Sequence, residues 1–431
     1  MIYMEVKPTK ETYRSYLFFW SGQLFSLFGS TVINFLLIWW LTTITGSPVI
    51  VSIAYFANFV PFVILTPIAG VFADRFKKKS IILLADSTQA ILTFFLVIFF
   101  FINFENIWLV IGINGIRGIA QAFHQPTTNA VIPSMVPKEK LSRINGINFL
   151  FAGVVQISGN VTAGILWAIF GIENLGLMLM IDVFTFFIAL VPLLMISIPS
   201  VNLNTEKQKI TILSDFVEGL KIMRKLPGVV ILIGLSMLLN FLIQPINTLL
   251  TVFIQNSHGG GPTQGAIISA MVQGGMIVGA IIVTIKKEWT NKMRWIFIGL
   301  IGVMIGYGFI ALAPPGWILW IGISGALFAY FLPLVNSLYN TVIQTIVPND
   351  KIGRIMSIDM ALSMLISPIG ILISGPLGEF FGVANLFLYC AIIGLAVSII
   401  TWFFSGIKHI DYDAIDTLDA SEEKETKAIP I

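Results

Sequence analysis

Apolar residues fill this chain in long runs, and polar residues gather in the gaps between them. Cutting at the gaps leaves twelve runs, roughly 15–42, 48–73, 80–102, 107–134, 143–170, 175–198, 228–256, 264–285, 295–313, 317–346, 354–381 and 383–405. A hydrocarbon core is spanned by about 20 apolar residues in a helix, so each run predicts one membrane crossing. Several runs are longer than 25 residues, which implies tilt or helices that project past the bilayer. The gaps alternate in kind. TITGS, NFEN, GIEN, APPG, FGVAN and HGGGPTQ contain no Lys or Arg, whereas RFKKK at 75–79, KEK at 138–140, KKEWTNKMR at 286–294 and NDK at 349–351 are basic.

Charge turns this pattern into a topology. Of the 25 Lys and Arg, all but Arg117 fall in the N-terminal tail, in every second gap, at the first residue of the run after such a gap (Arg143 and Arg354) or in the C-terminal tail. Cytoplasmic loops retain positive charge, so the alternation predicts twelve spans with both termini in the cytoplasm of a cell-membrane protein. The chain has 431 residues, is 56% hydrophobic and only 11% charged, with a mean hydropathy of +0.91. A soluble domain carries about 25% charged residues, and this chain lacks the polar residues to cover a water-exposed surface. The net charge of +3 is too small, and the cations too scattered, for nucleic-acid binding. The lone Cys390 excludes a disulfide framework and a thiolate metal site, and no cofactor is expected. The polar start MIYMEVKPTKETYR precedes a run too long for a signal-peptide core, so the first span is expected to remain as an anchor.

The longest basic gap, 199–227, divides six spans from six. Phe216, Leu220 and Met223 stand at helical spacing there, with Lys221, Arg224 and Lys225 on other faces, which predicts an interfacial amphipathic helix. The tail after Gly406, with seven acidic residues, is expected to be disordered. The expected domains are therefore 1–198, the linker 199–227, 228–405 and the acidic tail 406–431. An internal repeat supports the division. Shifted by 211 residues, 129–175 aligns on 340–386 without a gap. Pro137, Arg143, Gly159, Gly164, Gly171 and Asn174 meet Pro348, Arg354, Gly370, Gly375, Gly382 and Asn385. Parallel copies related by an axis along the membrane normal are a transporter architecture.

Several stretches carry a resemblance to a known family. Gly70-Val-Phe-Ala-Asp74-Arg75-Phe-Lys77-Lys78-Lys79 resembles the loop 2–3 signature of the major facilitator superfamily, and Arg117-Gly118 resembles its span-4 motif. GQLFSLFGS at 22–30, LTTITGS at 41–47, Ala122-Phe-His-Gln-Pro126 followed by NAVIPSMVP, and Ile181-Asp182-Val-Phe-Thr-Phe186 are similar to the macrolide-efflux branch of its drug exporters, a branch that also holds tetracycline and siderophore exporters. The resemblance covers essentially the whole chain. It implies an all-α membrane protein of the major facilitator fold, with twelve transmembrane helices in two pseudo-symmetric six-helix bundles. It also implies drug:proton antiport by alternating access. Two departures stand out: the span-5 antiporter motif places Gly and Pro together where this chain has Gly159-Asn160, and a weakened loop copy at 279–294 lacks the Asp-Arg pair.

The charged residues inside or beside the spans are the functional candidates. Asp74 ends span 2, and the resemblance implies that it bonds the start of span 11 near Gly353-Arg354, a latch between halves on the inner side; a charged stop after a span is the alternative. Arg75 and Lys77 to Lys79 read mainly as topological anchors. Arg117 lies about 15 Å deep at 1.5 Å per residue, where a cation is costly unless paired or hydrated. It holds a group in the transport path, or it clamps helices. Asp182 is the deepest carboxylate and the first candidate for a proton carrier; it could instead only bond neighbouring helices. Asp86 and Asp359 sit shallower and read as partners of Asp74, Arg75 and Arg354 at an inner gate. His124 is a titratable group or a polar residue bonded to backbone freed by Pro126. Gln23, Asn34, Asn240, Gln244, Asn247, Asn336 and Tyr339 are polar residues of spans 1, 7 and 10, which line the cavity in the family that the chain resembles. Some should meet substrate and others glue helices together. Trp39, Trp40 and Phe56 either stack on a bulky drug or face lipid. Gly274, Gly275 and Gly279, and Gly370 with Pro368, are hinge points or close-packing positions.

The expected function is export of a bulky, amphipathic, macrolide-like compound by a monomeric secondary transporter, driven by proton entry across the bilayer. A siderophore or metabolite exporter of the same fold is the alternative. An intramembrane enzyme is disfavoured by the lack of HExxH and Gly-x-Ser-x-Gly. A channel would need a ring of like groups. HGGGPTQG lacks the Lys-Ser/Thr ending of a phosphate loop.

Overall fold

The computed structural model describes residues 8–199, 221, 223, 226, 228–286, 288–347 and 351–407, without the side chains of Asp74, Gly353 and Arg354. The Asp74–Arg354 latch, the amphipathic linker helix and the acidic tail therefore lie outside the described residues. Among those residues twelve long helices follow in order. They are α1 Lys10–Thr45, α2 Pro48–Arg75, α3 Lys78–Phe101, α4 Ile107–Met135, α5 Leu141–Phe170, α6 Leu175–Met195, α7 Val229–Val252, α8 Pro262–Ile285, α9 Lys292–Ala311, α10 Ile318–Ile346, α11 Ile352–Phe381 and α12 Val383–Phe404.

Local chemistry sets several of the ends. Thr9 and Thr12 form a capping box that opens α1. Ser47 accepts from the Ile50 amide with Pro48 as the first residue of α2, and Asn106 accepts from the Leu109 amide to start α4. Gly46 closes α1 in the left-handed conformation, its N–H bonded to the Thr42 carbonyl at 2.8 Å.

The sequence repeat reappears as geometry. The bounds of α5, Leu141–Phe170, and of α11, Ile352–Phe381, differ by 211 at both ends. Each helix stops at a glycine of positive φ, Gly171 at 70° and Gly382 at 79°, a conformation that a side chain disfavours. Packing repeats as well. A Cβ on Gly159 of α5 would meet Thr31 of α1 at 2.7 Å, and one on Gly370 of α11 would meet Gln244 of α7 at the same distance.

Eleven of these helices are long and apolar enough to cross a membrane. The expected twelfth, α4, has the length but falls short in apolarity. Its interior carries Asn114, Arg117, Gln121, His124 and Gln125, and the first two are buried within the protein rather than offered to lipid. A helix whose polar groups are satisfied by neighbouring helices can lie in a bilayer without a uniformly apolar surface.

The chain folds as two compact units, 1–206 with 248–270, and 207–247 with 271–431. In unit 1, α4 packs closely on α2. A Cβ on Gly118 would collide with the Asn58 carbonyl, and one on Gly115 would lie 3.1 Å from the Ala57 carbonyl oxygen. Asn58 Nδ2 donates to the Asn114 carbonyl at 2.9 Å across the same contact. Gly118→Val is accordingly expected to lower the melting temperature of the purified protein strongly, by the overpacking cost of about 1–3 kcal/mol or more. Gly112→Val, in a place with open space around it, should leave the melting temperature nearly unchanged; equal effects would refute the close-packing account.

At one end of unit 1, Tyr16, Phe19, Ile82, Val131, Met135, Val136, Ile144, Leu193 and Ile196 form a core cluster. Lys79 lies beside it and donates to the Leu194 and Ile196 carbonyls at 2.7 and 2.8 Å. A cation there satisfies the exposed carbonyls and opposes the dipole at the end of α6, so Lys79 is more than a topological anchor. The segment 248–270 joins unit 1 through polar contacts: Thr42 Oγ1 and Thr251 Oγ1 lie 3.0 Å apart, Gln255 Nε2 donates to the Thr42 carbonyl at 3.1 Å, and Asn256 Nδ2 to the Gly46 carbonyl at 2.8 Å.

In unit 2 the same device joins α8 to α10, where Cβ atoms on Gly275 and Gly279 would collide with the Ala326 and Tyr330 carbonyls. These two glycines serve close packing. Trp39 and Trp40 are each 1% exposed, so neither faces lipid. Trp39 packs on Gly265, and Trp40 stands edge-on to Phe100 at 5.1 Å, both inside unit 1.

Candidate functional site

The ionisable residues inside unit 1 come together as two polar rungs. On α3, Asp86, Gln89 and Thr93 follow helical spacing along one buried stripe. On α4, Arg117 and His124 are seven residues apart, two turns along one face. Packing α3 against α4 sets the two rungs about 10.5 Å apart along the helices at 1.5 Å per residue.

The first rung is a buried ion pair. Arg117 Nη1 lies 3.2 Å from Asp182 Oδ2 on α6, and the two side chains are only 2% and 7% exposed. Thr93 donates its hydroxyl hydrogen to the same Asp182 oxygen at 2.7 Å, while Arg117 also touches the Thr93 hydroxyl and the Gln89 carbonyl. Burying an unpaired cation or carboxylate in hydrocarbon is costly, and pairing them reduces that cost. The backbone of α1 closes the site from the other side, because a Cβ on Gly29 would lie 2.9 Å from Asp182 Oδ1. Among the described residues Arg117 Nε has no hydrogen-bond partner.

The second rung joins three helices. His124 Nε2 lies 2.8 Å from Gln23 Oε1 of α1 and 3.1 Å from Asp86 Oδ1 of α3, and Gln23 Nε2 lies 3.5 Å from Asp86 Oδ2. Both atoms facing Nε2 are acceptors, so Nε2 carries a hydrogen. That hydrogen serves Gln23 by geometry, and Asp86 Oδ1 is left without a hydrogen bond among the described residues. His124 thus bonds across helices rather than to backbone freed by Pro126.

Unit 2 holds a cavity of about 630 Å³. Asn240 and Asn247 of α7, Asn336 and Tyr339 of α10, and Asp359 of α11 line it together with Leu235, Leu239, Met304, Phe328 and Met360. The Tyr339 hydroxyl donates to Asp359 Oδ1 at 2.7 Å. A roomy, largely apolar chamber with a few convergent polar groups is the usual form of a small-molecule site.

Four of the seven substrate candidates read from the sequence, Asn240, Asn247, Asn336 and Tyr339, thus share one wall system with Asp359. The other three do not join them. Gln23 belongs to the second rung, Asn34 is exposed on α1, and Gln244 packs under Gly370. Arg75 is the exposed last residue of α2. Sequence reasoning missed Gln89 and Thr93, although their spacing from Asp86 placed all three on one face. It also missed Ser236 and Asn340 of the cavity wall; Asn340 is the repeat mate of Asn129.

Comparison with known proteins shows the family. Macrolide efflux protein A of Streptococcus pyogenes is 25% identical over 392 residues, covering 91% of this chain and 96% of that protein. The multidrug efflux pump Tap of Mycolicibacterium fortuitum is 21% identical over 395 residues, covering 89% and 93%. Among solved structures, the nucleoside transporter NupG superposes with a TM-score of 0.71 at 13% identity, covering 90% of this chain and 98% of that one. An inward-facing bacterial homologue of the iron transporter ferroportin gives 0.67 at 16% identity, covering 90% and 98%. These structures show the fold alone. Residues 19–371 match the family model described as Major Facilitator Superfamily. The chain is a multi-pass membrane transporter that belongs to the Major Facilitator Superfamily.

Proposed function

We propose that this protein exports bulky amphipathic compounds, macrolide-like drugs among them, by alternating access coupled to proton entry, from a cell membrane with both termini in the cytoplasm. The observation that carries the reading is the cavity of unit 2, whose volume and largely apolar wall suit a large hydrophobic solute and whose asparagines and tyrosine suit its polar groups. The efflux relatives, matched over nearly their whole length, support the outward direction. The two rungs of unit 1 support the coupling. They place ionisable groups inside the bilayer, where such groups mark proton and substrate paths. In this reading a proton taken up at the rungs loosens Asp182 from Arg117, or Asp86 from His124, and biases the equilibrium between the two access states.

Cells expressing the protein are expected to accumulate several-fold less radiolabelled macrolide than cells with the empty vector, and a protonophore should remove the difference. Unchanged accumulation of every bulky amphipathic compound tried, with secretion of a siderophore or metabolite altered instead, would favour the alternative solute class. A difference that survives the protonophore would remove the proton from the scheme.

A further inference from the structure

We infer that the cavity of unit 2 is a recognition site for a cationic substrate, with Asp359 as the counter-ion of a protonated amine. The inference rests on the reading of the protein as an exporter of bulky amphipathic compounds and names the charge that such a compound carries.

The argument starts from a contrast between three carboxylates of the membrane interior. Asp182 faces Arg117, and Asp86 faces His124. Asp359 is 9% exposed, yet among the described residues it forms no ion pair and its sole hydrogen bond comes from the neutral Tyr339 hydroxyl. Among the described residues no Lys, Arg or His lines the cavity around it. An ionised carboxylate away from bulk water needs a counter-charge. In unit 1 Asp182 has Arg117 for this, and Asp86 has a neighbour, His124, that becomes a cation on protonation, whereas Asp359 faces a chamber large enough to admit a counter-charge from outside.

Local geometry suits that task. The Tyr339 hydroxyl occupies Oδ1, which fixes the carboxylate and leaves its other oxygen for an ammonium hydrogen. Asn240, Asn247 and Asn336 add amide oxygens on the same cavity wall. Phe328 and Tyr339 also line the cavity, and an aromatic ring attracts a cation over its face. Leu235, Leu239, Met304, Met356 and Met360 supply the apolar surface, and the unbranched methionines conform to irregular shapes. A neutral solute would gain the apolar contact and leave the carboxylate uncompensated. A cationic one gains both.

The test is equilibrium binding to the purified full-length protein in lipid nanodiscs. The probes are a macrolide bearing a tertiary amine and the same macrolide with that nitrogen converted to a neutral amide. The wild type is expected to bind the amine about tenfold or more tightly, the scale of one hydrogen bond to a charged group. Asp359→Asn should weaken the amine and abolish the preference, with the amide bound at least as tightly as by the wild type because no carboxylate is then left uncompensated. Asp359→Glu should restore part of the preference, and Tyr339→Phe should reduce it. Equal binding of the two compounds by the wild type, or a preference that persists in a folded Asp359→Asn protein, would overturn the amine site while leaving the export reading intact. Failure of the wild type to bind either compound would overturn both.

Discussion

Arg117→Ala is expected to destabilise the protein by about 3–5 kcal/mol, the cost of stranding one partner of a buried ion pair. Asp182 would keep the Thr93 hydroxyl and lose its only cationic partner among the described residues. Water cannot readily replace it from the α1 side, where Gly29 already presses on Asp182. The loss should therefore arise from the stranded charge more than from the missing side chain, and a second substitution separates the two. Arg117→Ala with Asp182→Asn removes the charge as well as its partner, and should recover most of the stability. The measurement is the fraction of purified protein that stays monodisperse after heating, for the wild type, both single variants and the double variant. A double variant as unstable as Arg117→Ala would show that the pair contributes packing alone. The double-mutant cycle is a fair instrument here because the two groups touch directly.

Much of the fold was legible in the sequence, because a bilayer imposes a strong rule on any segment that crosses it. The runs predicted at 143–170 and 354–381 become α5 and α11 with bounds at Leu141–Phe170 and Ile352–Phe381. The repeat could be read because turn glycines such as Gly171 and Gly382 are held in place by backbone conformation, which composition does not mimic. The site was legible in its members and not in its pairings. Arg117 and Asp182 were visible as charges in apolar runs, but they are 65 positions apart, and helix packing decides which neighbour each meets. Thr93 and Gln89 escaped because a hydroxyl or an amide in a span is routinely satisfied by its own helix; the Thr93 hydroxyl does lie 2.9 Å from the Gln89 carbonyl of its own helix as well as 2.7 Å from Asp182. The tryptophans were misread for a related reason. A large aromatic in an apolar run looks the same whether it meets lipid or a glycine, and only the packing of Trp39 on Gly265 decides between them.

Asp182→Asn is expected to abolish uphill export while sparing downhill exchange. Asparagine matches the carboxylate in shape and still accepts the hydroxyl of Thr93, so the contacts among α3, α4 and α6 persist. What it lacks is a second charge state, and without that a proton gradient has nothing at this rung to act on. Reconstituted vesicles carrying an imposed pH gradient should show concentrative uptake of a labelled macrolide with the wild type and none with the variant, with rates normalised to inserted protein because Arg117 is stranded in turn. Exchange of labelled for unlabelled drug without a gradient should continue, since it needs only the access change. Asp86→Asn is the internal control at the other rung. Its carboxylate meets a titratable group, His124, where Asp182 meets a permanent cation. If Asp86→Asn loses concentrative uptake and Asp182→Asn keeps it, the proton travels by the histidine rung and the Arg117–Asp182 pair is a clamp. Retention of uphill transport by both variants would place the coupling group outside unit 1's polar ladder, where Asp359 is the remaining buried carboxylate among the described residues.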